Sequence, residues 1–361
     1  MRRHSVEPEA REVRPADRLV PSLFSSFLRV RRDNHQMSIL VATDREVVVM
    51  DREPGRSVLA HGIGDRPTCL AADPLVDGRA WCGTHRSGVF RSDDGGRSWQ
   101  SVGLAGQLIM AITASPVERD VVWVGTEPSE VWCSGDAGLT WDPTSRLEKL
   151  PSSSDWSFPP RPETHHVRWI ACHPLEPGRL WVAIEAGALV RTFDGGRTWR
   201  DRVPGGPWDT HELAIHPKAP NGLRVSAGDG YFESDDGGTT WRSPRTGLDV
   251  GYLRSVTIDP GQPEVVVVSA SSGPYSAYVA GRSDGRLYRR VASGRWDRVR
   301  DGWPEPPGTI APLLCAGATA GEMWAADERG VHRSDDGGKS WRRVATYPAS
   351  PPHLRGLAIV R

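Results

Sequence analysis

Three arginines and one histidine occupy matching places in repeated segments of this chain. Arg168, His211 and Arg254 each stand six residues before a proline, with a mostly apolar run in between. Arg355 holds the corresponding place in the apolar run at the end of the sequence. A guanidinium group binds carboxylates and phosphates through parallel N–H donors. These side chains would therefore form an anion-binding site if the fold brought them together.

Acidic and aromatic residues lie in loops that flank these positions. Glu185 and Asp229 follow the second strand-like run of their segments, and Tyr275 belongs to an insertion over residues 271–286, with another insertion over 145–164. Insertions that gather on one face of a repeat protein usually mark its binding face, and aromatic rims suit sugars or flat ligands. The predicted ligand-binding residues are Arg168, Arg254, Arg355, His211, His166, Glu212, Glu185, Asp229 and Tyr275.

A metal site is the alternative use of the histidines. His165, His166 and His211, together with Glu212, offer imidazole and carboxylate ligands that suit Zn²⁺. They come from two different segments, however, and paired histidines that face solvent are the more common arrangement. The five cysteines have no metal-ligand spacing either. We therefore predict neither a metal nor another cofactor.

The element that must position these residues is a turn that the chain repeats five times. Its pattern is Ser/Thr-x-Asp-x-Gly-x-Ser/Thr-Trp, and the copy at residues 334–341 is nearly identical to the copy at 92–99. In such a turn the aspartate accepts hydrogen bonds from backbone N–H groups and the glycine supplies a positive φ, while the tryptophan buries its ring at the start of the next strand. We predict structural roles for Asp94, Asp136, Asp194, Asp236, Asp336, Trp99, Trp141, Trp199, Trp241 and Trp341.

Strand-like runs surround each turn and recur with the same period. Trp99 and Trp141 are 42 residues apart, as are Trp199 and Trp241. Short β-rich runs with regular turn chemistry at this spacing are typical of the blades of a β-propeller. The clearest segment has four predicted strands, at residues 167–172, 180–184, 189–192 and 199–203.

Two incomplete segments at the ends of the sequence complement each other. The first segment, residues 39–61, lacks its innermost strand, and the final run at 354–360 has the pattern of an inner strand with no partner after it. Pairing them closes a ring and removes free sheet edges. The sequence thus predicts an all-β, seven-bladed propeller, with six blades as the alternative. Because the inner strands of a propeller begin at one mouth of its central channel, the three arginines and His211 are expected to converge there.

The repeated turn resembles the Asp-box, or BNR, repeat of sialidases, sortilin-like receptors and photosystem assembly factors. The chain is most similar to cytoplasmic proteins built from such repeats. The resemblance covers the repeats from about Met37 onward and implies a β-propeller. In that family the Asp-box is a peripheral turn away from the ligand site, which implies a structural role for the five aspartates.

Two functions are compatible with this site. The first is a non-enzymatic binding or scaffold propeller, whose channel mouth takes a small anionic molecule or a segment of a partner protein. A photosystem-type assembly factor would share this feature. A structural alternative is that the same charged residues form a network of ion pairs across a water-filled channel that binds no ligand. The second function, implied by the resemblance, is a glycoside hydrolase of the exo-sialidase type, or another enzyme that acts on an anionic sugar.

The sialidase hypothesis assigns specific roles. A sialidase needs three arginines for the substrate carboxylate, a tyrosine nucleophile with its glutamate, and an acidic acid/base residue. The Arg-Ile-Pro motif that opens sialidases is absent, so the resemblance does not reach the catalytic motifs. The residues able to fill these roles are Arg168, Arg254 and Arg355 for the triad, Tyr252 or Tyr275 for the nucleophile, and Glu185, Glu212 or Asp229 for the carboxylates.

Composition limits the partners. The 361 residues carry 45 basic and 45 acidic side chains, and this zero net charge argues against nucleic-acid or membrane-surface binding. No apolar run approaches the length of a membrane span, and no signal-peptide core is present. With an odd number of cysteines in apolar runs, we expect a cytoplasmic protein. Residues 1–36, rich in Arg, Glu and Pro, are expected to form a disordered or loosely packed arm before the propeller at 37–361.

Overall fold

The fold is given by a computed structural model that describes Met1 and residues 37–51 and 57–361. The predicted arm at residues 1–36 lies, apart from Met1, outside the described residues. Within these ranges the chain forms 26 β-strands arranged in seven antiparallel sheets. Each sheet is one blade of a propeller, and we number the blades in chain order.

The first four blades occupy the first half of the chain. Blade 1 consists of β1 (Ser38–Thr43), β2 (Val47–Asp51), β3 (Ser57–Leu59) and the C-terminal strand β26 (Leu354–Val360). Blade 2 consists of β4 (Pro67–Ala72), β5 (Ala80–Thr84), β6 (Val89–Ser92) and β7 (Gln100–Gly103). Blade 3 consists of β8 (Leu108–Ala114), β9 (Val122–Glu127), β10 (Val131–Ser134) and β11 (Asp142–Pro143). Blade 4 consists of β12 (Val167–Cys172), β13 (Leu180–Ile184) and β14 (Ala188–Thr192).

The remaining three blades complete the ring. Blade 5 consists of β15 (Thr210–His216), β16 (Ala219–Ala227) and β17 (Gly230–Ser234). Blade 6 consists of β18 (Tyr252–Asp259), β19 (Gln262–Ser271), β20 (Arg286–Val291) and β21 (Asp297–Arg298). Blade 7 consists of β22 (Leu313–Ala316), β23 (Met323–Asp327), β24 (Gly330–Ser334) and β25 (Arg342–Ala345).

The C-terminal strand closes the ring, as predicted. It pairs antiparallel with β1, with Ala358 opposite Leu40 and Gly356 opposite Ala42. The innermost strands β26, β4, β8, β12, β15, β18 and β22 contact one another in that order, and β22 contacts β26 again. The count of seven blades is confirmed, and the six-bladed alternative is wrong.

An apolar cluster fills each interface between neighbouring blades. Between blades 1 and 2, for example, Leu40 and Val49 pack with Cys82 and Phe90. Equivalent clusters fill the other six interfaces. Because both faces of a blade are covered, its middle strands are apolar on both sides, as β13 is with all five residues buried. No blade buries both faces alone, so the ring is stable only as a closed whole.

The repeated turn has a constant hydrogen-bond pattern. Ser92 Oγ accepts from the Gly96 N–H at 2.9 Å, and the Asp94 carboxylate accepts from the Ser98 N–H at 2.9 Å and Oγ at 2.5 Å. Gly96 has φ = +87°, and the Trp99 indole donates to its carbonyl at 2.8 Å. The other four copies repeat the serine or threonine and aspartate contacts. Local backbone donors therefore occupy these carboxylates.

The outermost strands differ among the blades, and the tryptophans follow this difference. The predicted fourth strand of blade 4 is absent as a strand; a single bridge between Arg191 and Arg200 replaces it, because the chain turns away into the next loop. Trp99 and Trp341 precede four-residue outer strands and are buried. The predicted burial is only partial for Trp141, Trp199 and Trp241, which precede a two-residue strand or an isolated bridge.

In the described residues, helical structure is confined to the insertions. The helix α1 (Pro274–Tyr278) lies in the insertion of blade 6, and two 3₁₀ segments, Leu147–Lys149 and Pro151–Asp155, lie in the insertion before blade 4. In the part of the chain that the structure describes, no helix has both the length and the apolar character that a bilayer crossing requires.

Candidate functional site

A cavity of about 810 Å³ lies where the innermost strands begin. All seven blades contribute to its lining. Apolar side chains such as Leu70, Ile112, Leu314 and Leu357 form part of the wall. The first residues of the inner strands surround the cavity because every such strand starts at the same end of the ring. Arg168, His211, Arg254 and Arg355 all line the cavity, as do Thr68 and Met110 at the start of the inner strands of blades 2 and 3.

Glu185 is the centre of the acidic side of the cavity. Its Oε2 lies 2.5 Å from Nε2 of the buried His166 and 3.7 Å from Nε of Arg168. Burial alone would raise the pKa of Glu185, but the hydrogen bond with His166 and the charge of Arg168 outweigh it and lower the pKa to about 2. Glu185 is therefore a fixed negative charge at any physiological pH.

His211 and Asp209 face Glu185 from the start of blade 5. His211 Nδ1 lies 2.6 Å from the carbonyl oxygen of Leu253, and its Nε2 lies 3.6 Å from Asp209 Oδ2 and 3.8 Å from Glu185 Oε1. Asp209 Oδ1 accepts from the Ala186 N–H at 3.0 Å. Burial raises the pKa of Asp209, although the nearby His211 acts in the opposite direction. The carboxyl groups of Glu185 and Asp209 thus lie close together, and their pKa values are shifted in opposite directions.

Glu127 and Arg161 form a rim on the blade 3 side. Arg161 Nη2 and Nε donate to the two carboxylate oxygens at 2.5 and 3.0 Å, in the bidentate geometry typical of strong Arg–carboxylate pairs. The Phe158 ring lies 5.0 Å from the Arg161 guanidinium and makes an edge contact with His166. The long insertion before blade 4 therefore contributes an ordered wall to the cavity.

Arg254 lines the cavity but uses its donors on the backbone. Its Nη1 donates to the Ala311 carbonyl at 2.7 Å and its Nη2 to the Leu354 carbonyl at 2.9 Å. Only 2% of the residue is exposed, and the guanidinium lies 4.5 Å from the centre of the Tyr278 ring. Burial lowers the pKa of Arg254 to about 10. These contacts indicate that Arg254 mainly stabilises the ring, since its Nη1 and Nη2 atoms already have backbone partners.

Arg355 and Arg66 are the cations with spare donors. Both are exposed at the cavity, and among the described residues neither guanidinium has a carboxylate oxygen within 4.0 Å. Partial desolvation by the cavity walls, and then the charge of Arg168, lower the pKa of Arg355, against the opposing effect of Asp44. The positive charges on this side are therefore only partly compensated.

Glu212 lies deeper than the other carboxylates. It is buried, and the Ser255 hydroxyl donates to its Oε2. Ser255 Oγ in turn accepts from the Leu314 N–H at 2.9 Å. Burial raises the pKa of Glu212 to about 8, so the side chain is mostly protonated at neutral pH. Its role is set by this hydrogen-bonded chain between blades 5, 6 and 7.

Two predicted residues lie outside the cavity lining. Tyr275 is 74% exposed on helix α1, and Tyr278, three residues later, contributes its ring to the cavity instead. The insertion was predicted as a loop; it contains a short helix that leaves Tyr275 exposed and places Tyr278 in the cavity lining. The Asp229 carboxylate accepts a hydrogen bond from the Asp209 N–H at 3.4 Å, so Asp229 supports the neighbouring loop.

Several lining residues were not among the predicted ligand-binding residues. Arg66 stands two residues before Thr68, so its place at the start of an inner strand was a usable signal. Asp209 lies in the loop two residues before His211, and Arg161 belongs to an insertion that the repeat pattern does not cover. Conversely, none of the five turn aspartates lines the cavity, in agreement with their structural role.

The atoms best placed for a metal differ from the histidine set considered above. Among the described residues, Glu185, Asp209 and His211 bring one ligand atom each to within 4.8 Å of one another. His165 does not line the cavity and makes an edge contact with Trp156.

Comparison with known proteins supports the fold. No family model and no curated protein matches the sequence. Among solved structures, an ancestral GH74 enzyme is 16% identical with a TM-score of 0.62, over 79% of this chain and 39% of the other. The structure of YCF48 bound to D1 peptide is 17% identical with a TM-score of 0.58, over 81% of this chain and 85% of the other. The GH74 xyloglucanase from Xanthomonas campestris is 14% identical with a TM-score of 0.61, over 90% and 52%.

These identities are low, and the likeness therefore concerns the β-propeller fold alone. The chain spans about two fifths of the ancestral GH74 enzyme and about half of the xyloglucanase, but most of the length of YCF48. The class of protein that fold and cavity define is a seven-bladed propeller with a cavity at one end of its ring, lined by charged and apolar residues.

Proposed function

We propose that this protein is a binding propeller whose cavity captures an anionic group, carried by a small molecule or by a segment of a partner protein. The observation that supports this proposal most directly is the pair Arg66 and Arg355, which line the cavity without carboxylate partners among the described residues. Guanidinium groups with free donors at a cavity wall favour carboxylate and phosphate ligands.

The charges on the two sides of the cavity are matched differently. On the side of blades 3 to 5, Glu127 and Glu185 both have basic partners at 2.5 Å. On the side of blades 1 and 2, Arg66 and Arg355 have only Asp44 as an acidic neighbour in the lining. A network that existed only to neutralise itself would not leave this surplus. An anion placed there would relieve the repulsion between the guanidinium groups.

The size of the cavity suits the proposal. A volume of about 810 Å³ lies in the range of pockets that enclose small molecules, and an extended peptide end would also fit. The tyrosines Tyr252 and Tyr278 add flat surfaces beside the charged groups. The similarity to YCF48, which was solved with a D1 peptide, adds support for a peptide segment as ligand.

A thermal-shift screen followed by calorimetry tests the proposal. The panel contains sialic and uronic acids, other carboxylates, phosphates, neutral sugars and acidic peptides. A ligand at a hundred times its Kd should stabilise the protein by about 2.7 kcal/mol. We expect one anionic class to bind, and we expect Arg355→Gln and Arg66→Gln to weaken it. Arg343→Gln, on the exposed outer strand β25, is the matched control. Equal binding by all four proteins would contradict the proposal.

A second candidate function is glycoside hydrolysis, favoured by the pair Glu185 and Asp209. Their facing oxygens lie within 4.8 Å, near the carboxylate separation of about 5–5.5 Å that retaining enzymes use. The lowered pKa of Glu185 suits a nucleophile and the raised pKa of Asp209 suits an acid. The fold is shared with GH74 enzymes.

The exo-sialidase form of this function has less support. Its arginine triad would require Arg254, whose Nη1 and Nη2 already donate to backbone carbonyls. Its alternative nucleophile Tyr275 points to solvent. Hydrolysis of nitrophenyl glycosides, uronides and sialosides tests the hydrolase. Activity that Glu185→Gln and Asp209→Asn abolish would support it, and the absence of turnover on every substrate would count against it.

A further inference from the structure

We infer that Glu185, Asp209 and His211 form a binding site for one divalent transition-metal ion. The inference concerns the same cavity as the proposed anion site but does not depend on that function. It differs from the sequence-based expectation of no metal, which considered another set of residues.

Each of the three side chains is held by one polar atom and presents the other. Glu185 is fixed through Oε2 by His166 at 2.5 Å, and Asp209 is fixed through Oδ1 by the Ala186 N–H at 3.0 Å. His211 is fixed through Nδ1 by the Leu253 carbonyl at 2.6 Å. Of the remaining atoms, His211 Nε2 lies 3.8 Å from Glu185 Oε1 and 3.6 Å from Asp209 Oδ2. One ligand atom from each of the three residues lies within 4.8 Å of the other two, close enough for the three side chains to reach one ion.

The Leu253 carbonyl decides the tautomer of His211. A carbonyl oxygen only accepts hydrogen bonds, so Nδ1 carries a proton, and in the neutral ring Nε2 offers its lone pair to a metal. A metal-bound histidine characteristically donates its other ring N–H to a carbonyl or carboxylate in this way. His211 is 1% exposed, and among the described residues the polar neighbours of Nε2 are its two carboxylates and, at 3.4 Å, the Tyr252 hydroxyl. That hydroxyl is 3.5 Å from the hydroxyl of Tyr278, to which it can turn.

The backbone is shaped around these ligands. A Cβ atom at Gly228 would lie 2.0 Å from Asp209 Oδ2 and 3.4 Å from the His211 ring. Only glycine leaves room for the carboxylate in its present position. Gly228 N–H also donates to the Asp209 carbonyl at 2.8 Å, which holds the two loops in register. Gly228 is therefore required for the observed arrangement of the proposed ligands.

The ligand set and the distances select the class of ion. One imidazole and two carboxylates suit Zn²⁺ or Mn²⁺, and three protein ligands leave positions open for water or another group. Metal–ligand bonds of about 2.1 Å place ligands about 3–3.4 Å apart. The observed separations of 3.6 and 3.8 Å around Nε2 need only small side-chain movements to reach this value.

Metal titration of the full chain tests the inference. The protein is treated with a chelator, exchanged into buffer without carboxylates or phosphates, and titrated with Zn²⁺ and Mn²⁺ by calorimetry. Co²⁺ absorption spectra report the coordination independently of any activity. We expect one equivalent to bind, and we expect Asp209→Asn, Glu185→Gln and His211→Ala each to weaken binding at least tenfold. Asp297→Asn, at an exposed position on β21, is the matched control.

The outcomes are distinct. Because Asp209→Asn and Glu185→Gln are nearly isosteric, they keep the test usable if His211→Ala does not fold, and circular dichroism checks each variant. The inference is overturned if no saturable binding occurs, or if any folded variant of the three binds like the wild type, which would indicate an adventitious ion only. Because neither carboxylate nor phosphate is present in the titration, the result is separate from that of the anion screen. Metal binding would also argue against the acid/base roles of these carboxylates.

Discussion

The guanidinium of Arg254 donates a hydrogen bond of 2.9 Å to the carbonyl oxygen of Leu354, a residue 100 positions later in the chain. Leu354 begins the strand that closes the ring, and the second donor of Arg254 holds the Ala311 carbonyl just before β22. One buried side chain of blade 6 thus binds the chain segments at the start of the inner strands of blades 7 and 1. The same contacts remove Arg254 from the group of arginines free to bind a ligand.

Arg254→Met should destabilise the protein. Two buried carbonyl groups lose charged donors, and we expect the free energy of unfolding to fall by about 2–4 kcal/mol. Urea unfolding, followed by tryptophan fluorescence, measures the difference. Arg343→Met on β25, an exposed position, should change stability by no more than about 0.5 kcal/mol. Similar stabilities for both variants would show that the two hydrogen bonds do not stabilise the contact of blade 6 with the inner strands of blades 7 and 1.

Arg355→Gln should weaken binding of the anionic ligand without unfolding the protein. A charged hydrogen bond contributes about 1.5–3 kcal/mol, and we therefore expect Kd to rise by about ten- to a hundredfold. The affinity of the wild type should also fall with ionic strength, because Arg355 is exposed and salt screens its charge. Calorimetry at low and high salt measures both effects. An unchanged Kd in the variant would place the ligand elsewhere.

Asp327 should make stability depend on pH in the acid range. It is fully buried, and burial would raise its pKa, but His332 at 3.2 Å and Arg329 outweigh this and lower the pKa to about 2. Because the folded pKa lies below the ordinary value of 3.8, the stabilisation is complete above pH 4–5 and is lost as pH falls toward about 2. The linked free energy is about 2 kcal/mol.

Asp327→Asn provides the test of this dependence. We expect the stability difference between wild type and variant, measured by urea unfolding, to be largest at neutral pH and to shrink between about pH 4 and pH 2. His332 and Arg329 remain in place, so the comparison isolates the carboxylate charge. A constant difference across this range would mean that packing and not ionisation accounts for the effect.

The repeated tryptophans should contribute unequally to stability. Trp99 is buried between blades 1 and 2, whereas Trp199 is partly exposed beside a blade that lacks a regular outer strand. Trp99→Ala should therefore lower the free energy of unfolding by about 3–5 kcal/mol, and Trp199→Ala by clearly less. Urea unfolding of both variants measures the difference. Equal losses would show that the outer strand does not determine how deeply the indole is packed.

Much of the fold could be predicted because local chemistry repeats. The turn at residues 92–99 needs only its own side chains and glycines to form, so the same sequence pattern can be recognised in all five copies. The inner strand at 354–360 and the incomplete first segment were each uninterpretable alone, yet together they predicted closure. The outer strand at 199–203 could not be predicted reliably, since edge strands are stabilised by few contacts and the chain is free to leave the sheet.

The candidate site was predictable in position and less so in detail. Strand register alone places Arg168, His211 and Arg355 at one end of the ring, since inner strands begin there. Which side chain faces inward from an insertion depends on its local conformation. The short helix α1 places Tyr278 in the cavity lining and leaves Tyr275 exposed. Sequence spacing carries no information of that kind.

The sequence by itself determined the all-β repeat, favoured seven blades over six and placed several charged residues at one end of the ring, because these follow from periodicity and local turn chemistry. Only the tertiary structure decided which of those charges are free. Arg254 is occupied by the carbonyls of Ala311 and Leu354, whereas Arg355 is not paired with a carboxylate among the described residues. Contacts between residues that are distant in the sequence depend on three-dimensional distances, which are set only when the ring closes.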